Sequence, residues 1–424
     1  MQPELIIFLL MVGSFMLSCF AFKLSAGIGM VIAAIVGALA GGMGFPVAQF
    51  VEGTFAFLDT ILVIAAAMIF MKCIQNSGAL DVINRIIIRR FARYPALLLI
   101  CLMFVIMFPG MITGSSTAAV ISAGVIVAPI LMMLGVPKDK AGAILALGGM
   151  FGATAPPVNM AVMAIGGGID MPYTGFDLPL ILLSFPLAIF SVLFLGYKHV
   201  KKVDVKKVAA EYQNEEAQKP SLLLFMPLIV MVLLMVLPEI FPSVFPSLGM
   251  TLIFLICAVL AMFTGKKMNP LRTVYDAVNS ALPVMGILMG VGMFIQIMTA
   301  TGVKGYIVIS SVSLPTVLLY VAIALLIPLF GSISSMGAAT VLGVPFVLSL
   351  ISSDQTIVAS AIASIASVGE LMPPTALAGM FAANVVGEEK YIRVVKQCII
   401  PALGIIIVSM LFIIFANPIA SVIG

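Results

Sequence analysis

Two short runs of glycine and hydroxyl residues interrupt apolar stretches of this chain, and each is followed by a double proline. Gly114-Ser115-Ser116-Thr117 precedes Pro156-Pro157, and Gly331-Ser332-Ile333-Ser334-Ser335 precedes Pro373-Pro374. From glycine to first proline is 42 positions in both sets, each double proline closes a Gly-x-x-x-Pro-Pro frame that starts at Gly152 or Gly369, and the sets are offset by 217. Proline lacks an N–H and clashes with the preceding turn. Two in succession within an apolar stretch therefore predict a broken helix, with Pro156, Pro157, Pro373 and Pro374 as the breaking residues. Carbonyls freed at such a break, facing the hydroxyls of a Gly/Ser turn, are the oxygen donors that a hard cation such as Na⁺ takes. The N-termini of the half-helices carry partial positive charge and suit a carboxylate. The expected cation donors are Gly114, Ser115, Gly152 and Thr154 in the first set and Ser332, Gly369 and Glu370 in the second. The expected substrate contacts are Ser116, Thr117, Asn159, Ser334, Ser335 and Thr375. A lone Ser-Ser pair reads as close helix packing through small side chains; the twofold arrangement reads as a site. Glu370 lies three residues before Pro373, and an acid within an apolar stretch is costly. It is open to ligating a cation, carrying a proton, or pairing with a basic group.

The elements that must hold these residues are membrane helices. Of 424 residues, 21 are basic and 17 acidic, which is 9% charged against 62% hydrophobic. Mean hydropathy is +1.27. A soluble domain carries about 25% charge, so a cytosolic enzyme, a nucleic-acid binder, a disulfide scaffold and a disordered chain are excluded. The apolar runs are continuous rather than alternating, which excludes a β-barrel. The fold class is an all-α polytopic membrane protein. Cys19, Cys73, Cys101, Cys257 and Cys398 are scattered and read as packing residues. His199 is the lone histidine, and no HExxH, GxSxG or Walker motif occurs. The expectation is therefore not an enzyme, and any uphill transport must draw on an ion gradient or another chain. Lys72, near the end of an apolar run, reads as a snorkelling residue. The run Leu5–Phe22 lacks a basic flank and reads as a retained membrane segment rather than a cleaved signal.

Apolar segments fall at about 5–22, 24–42, 53–76, 95–112, 118–135, 141–168, 178–197, 221–238, 248–264, 277–300, 314–330, 336–351, 356–386 and 397–416. The hydrophilic stretch between them reads as a cytoplasmic linker over 198–220, dividing a first repeat, 1–197, from a second, 221–424. The basic residues Arg85, Arg89, Arg90 and Arg93 follow the third segment of the first half, where the second half has only Lys304. Between second and third segments the bias swaps: none at 44–53, against Lys266, Lys267 and Arg272. The repeats are thus predicted to be inverted, each with about five spanning segments and one re-entrant hairpin. The hairpins fall at about 95–135 and 314–351, the broken helices at about 141–168 and 356–386. Both termini come out non-cytoplasmic.

Gln75-Asn76-Ser77-Gly78, Thr113-Gly114-Ser115-Ser116-Thr117 and Gly152-Ala153-Thr154-Ala155-Pro156-Pro157 together resemble the large membrane subunit of tripartite ATP-independent periplasmic (TRAP) transporters, within the ion transporter superfamily. The likeness covers nearly the whole chain, closely in the first half and more loosely in the second. It implies an elevator-type secondary transporter of the bacterial or archaeal cytoplasmic membrane. Such a carrier imports organic acids such as C4-dicarboxylates or sialic acid, driven by Na⁺. It also implies two partners, a small four-helix membrane subunit and an extracytoplasmic substrate-binding protein. The second half departs from the family: Thr-Pro-Pro-Val-Gly is replaced by Met372-Pro373-Pro374-Thr375-Ala376, and Glu370 stands where an uncharged residue is expected.

These readings combine into scaffold helices from the first three segments of each half and a transport domain holding both hairpins and both broken helices. Substrate is expected between the hairpin tips with Na⁺ beside each, H⁺ being the alternative at the second. A stand-alone Na⁺- or H⁺-coupled carrier needing no binding protein, and an ion-only channel or exchanger, are the competing readings.

Overall fold

The computed structural model describes residues 2–201, 222–241, 244–246, 248–312, 314–373 and 376–423. Among the described residues there is no strand, and seven helices are long and apolar enough to cross a membrane. The chain is a polytopic helical membrane protein.

The first half runs Pro3–Phe20, Ala26–Ala40, the short Val47–Phe55, Leu58–Ser77 and the amphipathic Ala79–Phe91. A helical hairpin follows, Pro95–Thr113 and Ser116–Met133. Then come the two parts of a broken helix, Lys138–Thr154 and Met160–Gly168, and the long Asp177–Val200. The second half runs Leu222–Ile240, Met250–Met262, Pro270–Ala300 and Val303–Val312. Its hairpin is Thr316–Gly331 and Ser335–Ser349, its broken helix Gln355–Val368 and Leu377–Val386, and Tyr391–Ile414 and Ala416–Ile423 close the chain. The expected 198–220 linker lies mostly outside the described residues, and its first residues, through Val200, continue the preceding helix. The apolar run expected at 53–76 is also divided, because Val47–Phe55 ends and a new helix starts at Leu58.

Element by element, the two halves share an order. Broken helices begin at Lys138 and Gln355 and resume at Met160 and Leu377, both at an offset of 217. The hairpin tips do not keep that offset. Ser115 and Ser334 each cap the returning arm, and a π-turn follows at Val120–Gly124 and at Ala339–Gly343, an offset of 219. The expected pairing of Gly114 with Gly331 is therefore displaced by two residues. Gly114 ends its helix in the left-handed region at φ +64°, whereas Gly331 is still helical and Ser332 and Ile333 extend the turn.

Among the described residues, apolar side chains bury into four clusters. One joins the first hairpin and Lys138–Thr154 to Leu377–Val386 and Tyr391–Ile414 of the other half. A second joins the second hairpin and Gln355–Val368 to Met160–Gly168 and Asp177–Val200. Each broken helix thus has one part in each cluster. The remaining two clusters are built mainly from the early helices of both halves. There Ala26–Ala40 and Val47–Phe55 lie against Pro270–Ala300 at glycines. A Cβ at Gly27 would come 2.6 Å from Gly286 O, and one at Gly292 would collide with Gly53 O. Small residues permit such backbone approach in a membrane bundle.

Candidate functional site

The first hairpin turns in two residues. Thr113 Oγ1 donates to Pro109 O (2.7 Å), and the Gly114 N–H donates to Gly110 O (2.7 Å). Gly114 then takes the left-handed conformation that suits a residue without Cβ. Ser115 is extended and its Oγ accepts the Ala118 N–H (3.2 Å), the usual work of an N-cap serine. The second tip is longer. Ser332 Oγ donates to Leu329 O (2.6 Å), and Ser334 Oγ accepts the Gly337 N–H (3.1 Å). In both tips the serine after the cap is left facing the interior, Ser116 on one and Ser335 on the other.

Both of these serines meet Glu370. Ser116 Oγ donates to Glu370 Oε2, and Ser335 Oγ donates to Glu370 Oε1 at 2.6 Å. Glu370 occupies a single 3₁₀ turn, Gly369–Leu371, where the second broken helix gives way. It can reach both tips because the hairpin and the broken helix touch backbone to backbone. A Cβ at Gly369 would collide with Gly331, and one at Gly152 would collide with Met107 O. Gly152 and Gly369, expected as cation donors, are crossing points of this kind. An ionised carboxylate has about four acceptor positions; the two hydroxyls occupy two. No described basic side chain pairs with Glu370. Ser116 and Ser335 are expected from the sequence at the substrate, and Glu370 apart from them at a cation. The structure gathers all three into one group.

The first break is organised differently. Thr154 Oγ1 donates to Met150 O (2.9 Å), and Pro156–Pro157 follows with a cis bond. The Val158 N–H donates to Met111 O (3.1 Å), tying the break to the hairpin arm. Asn159 is buried; its Nδ2 donates to Thr154 O (2.7 Å) and its Oδ1 accepts the Val162 N–H (3.0 Å). Asn159, expected at the substrate, thus spends its amide spanning the break. Thr117 is half-buried beside the tip. Pro373 ends the described part of the second break, and Pro374 and Thr375 lie outside the described residues.

Two participants, Ser367 and Tyr173, are not among the expected site residues. Ser367 Oγ lies 3.2 Å from Thr154 Oγ1, joining the two breaks, and donates to Ser364 O (2.7 Å). Its signal was the helical spacing of Ser360, Ser364 and Ser367. Tyr173 Oη accepts the Asn159 N–H (3.1 Å) from a loop with no motif of its own. Lysines cap the far ends of the half-helices: Lys304 Nζ donates to Gly168 O (2.7 Å) and Lys138 Nζ to Gly387 O (3.3 Å). Cations at a helix C-terminus oppose the helix dipole. Lys72 contacts Gln75 Oε1 at 3.5 Å, within its own helix.

Among the described residues no group of three or more His, Cys, Asp or Glu is placed to hold a metal. The donors that do converge are two hydroxyls and one carboxylate. With one carboxylate, they suit a monovalent hard cation, a proton or a ligand's polar group rather than a soft metal.

A family model described as the DctM component of the tripartite ATP-independent periplasmic transporter matches residues 5–419. Comparison with curated proteins finds no match. Among solved structures, the fold is similar to that of the YdaH transporter of Alcanivorax borkumensis, described as having an unusual topology. The TM-score is 0.58 at 14% identity, over 98% of each chain.

Proposed function

We propose, for a chain that belongs to the DctM component family of tripartite ATP-independent periplasmic transporters, that the meeting point of its two hairpin tips is where an organic acid and its coupling ion are carried. The chain is one membrane component of a TRAP-type secondary transporter. The finer reading rests on one observation, the convergence of Ser116 and Ser335 on Glu370.

The substrate carboxylate would take hydroxyl and N–H donors at the tips, and Na⁺ would take oxygens of the turns and of the breaks. Ser116, Ser335 and Glu370 offer hard oxygen donors of the kind this needs. Glu370 adds a second option, since a carboxylate with no described cationic partner balances its charge with either a metal ion or a proton. The grouping of both hairpins with both broken helices supports an elevator motion, in which that body slides against the early helices of the two halves. In this reading the halves are inverted repeats and the chain lies in the cytoplasmic membrane with both termini outside. It receives substrate from an extracytoplasmic binding protein and works beside a small four-helix subunit.

The test is uptake into proteoliposomes holding the chain with its small subunit and binding protein. Uptake of a C4-dicarboxylate or sialic acid that rises with an inward Na⁺ gradient is expected. A rise with an inward proton gradient alone that is lost in Glu370→Gln assigns Glu370 to the proton. Uptake indifferent to both gradients refutes the coupling.

A further inference from the structure

Far from the hairpin tips in sequence, a cleft of about 310 Å³ opens where the two halves' early helices meet, lined by Asn76, Lys266, Lys267, Asn269, Arg272 and Asp276. Its floor is fixed. Asn76 Nδ2 donates to Thr273 Oγ1 (3.0 Å), and the Lys266 N–H donates to Ser77 O (3.1 Å). Gly265, at φ +78°, lets the loop press so close to Ser77 O that a Cβ would collide with it. Three cations against one carboxylate leave the cleft positive, and none of the three forms an ion pair with a described residue.

Its depth in the bilayer follows from the helix that begins there. Pro270–Ala300 has 31 residues, about 46 Å at 1.5 Å per residue, against a hydrocarbon core of about 30 Å. Arg272 and Asp276 are the only charged residues of this helix, and both lie in its first two turns. The uncharged remainder fills the core, which leaves the first turns and the cleft at headgroup depth. Around the cleft Phe263, Leu271 and Tyr275 are 83%, 84% and 68% exposed. Large apolar and aromatic side chains beside lysine and arginine that pair with no described residue form the pattern of a membrane interface. A cleft built only to bind a soluble anion has no use for that apolar rim.

We infer that this cleft seats the phosphate of an anionic phospholipid, with Lys266, Lys267 and Arg272 on the headgroup and Phe263, Leu271 and Tyr275 among its acyl chains. The lipid would pin the junction between the two halves to one leaflet.

The full chain, purified in detergent and titrated with phosphatidylglycerol or phosphatidylcholine under native mass spectrometry, tests this. Phosphatidylglycerol is expected to bind selectively. The triple variant Lys266→Gln, Lys267→Gln, Arg272→Gln is expected to weaken it roughly a hundredfold, about fivefold per cation. Asp276→Asn is expected to tighten it a few-fold, a gain that a misfolded variant would not give. Equal affinity for the two lipids, or unchanged affinity in the triple variant, overturns the assignment. So does displacement of phosphatidylglycerol by millimolar inorganic phosphate or glycerol phosphate, which would make the cleft a seat for soluble phosphate.

Discussion

Asn159 and Ala376 occupy corresponding places in the two broken helices, and so do Ala153 and Glu370, at the same offset of 217 that relates the helix starts. In the first break, one buried amide serves the carbonyl before the prolines and the N–H after them, so its polar groups are satisfied locally. In the second, alanine stands at the cap position without a side-chain bond, and the polar group is instead a carboxylate held by serines from both hairpins. Matching backbone frames can therefore do different work. One break is a closed structural joint, while the other presents a carboxylate to both hairpin tips.

The sharpest way to break this contrast is Glu370→Ala, which gives the second break the residue of the first. Two hydrogen bonds to a charged acceptor, at about 1.5–3 kcal/mol each, are lost. Gradient-driven uptake should fall roughly a hundredfold or more in proteoliposomes. Glu370→Gln separates charge from shape, and uptake retained at the wild-type level in that variant would remove the carboxylate from coupling. Next, Asn159→Ala orphans two buried backbone groups at about 1–3 kcal/mol each. The purified chain should unfold at a lower temperature, whereas Ala376→Gly should change stability little. Gly152→Ala and Gly369→Ala probe what the halves share. Both overfill a backbone crossing, at about 1–3 kcal/mol, and should destabilise the chain similarly by thermal unfolding. The smallest effects belong to the lysines at the far ends of the half-helices, worth about 0.3–1 kcal/mol. Lys304→Met, at a part-buried bond, should lower the unfolding midpoint more than Lys138→Met, at an exposed one.

The helical membrane class was legible from composition and run length together, because 9% charge calls for a bilayer and the continuous apolar runs call for helices. The breaks were legible because double proline after glycine has few other meanings in an apolar run. The two-residue shift between the tips was not. Gly114 and Gly331 look alike as letters, and only their backbone angles distinguish a left-handed cap from a continuing helix. Nor was the commitment of Asn159 visible, since a cap and a ligand-binding amide use the same atoms. Glu370 stood out as an acid in an apolar setting. That Ser116 and Ser335 would both reach it depended on contacts between residues 254 and 35 positions apart, which no local pattern encodes.

The carboxylate between the two tips also ties its own bonding to their spacing. Its two oxygens are each claimed by a serine on a separate hairpin, so the full set of bonds exists only while both tips stand at one spacing. A shift of either hairpin by about an ångström stretches one bond beyond hydrogen-bonding range while leaving the other intact. Glu370 thereby converts the relative position of two distant turns into a local chemical state, with one acceptor filled or both.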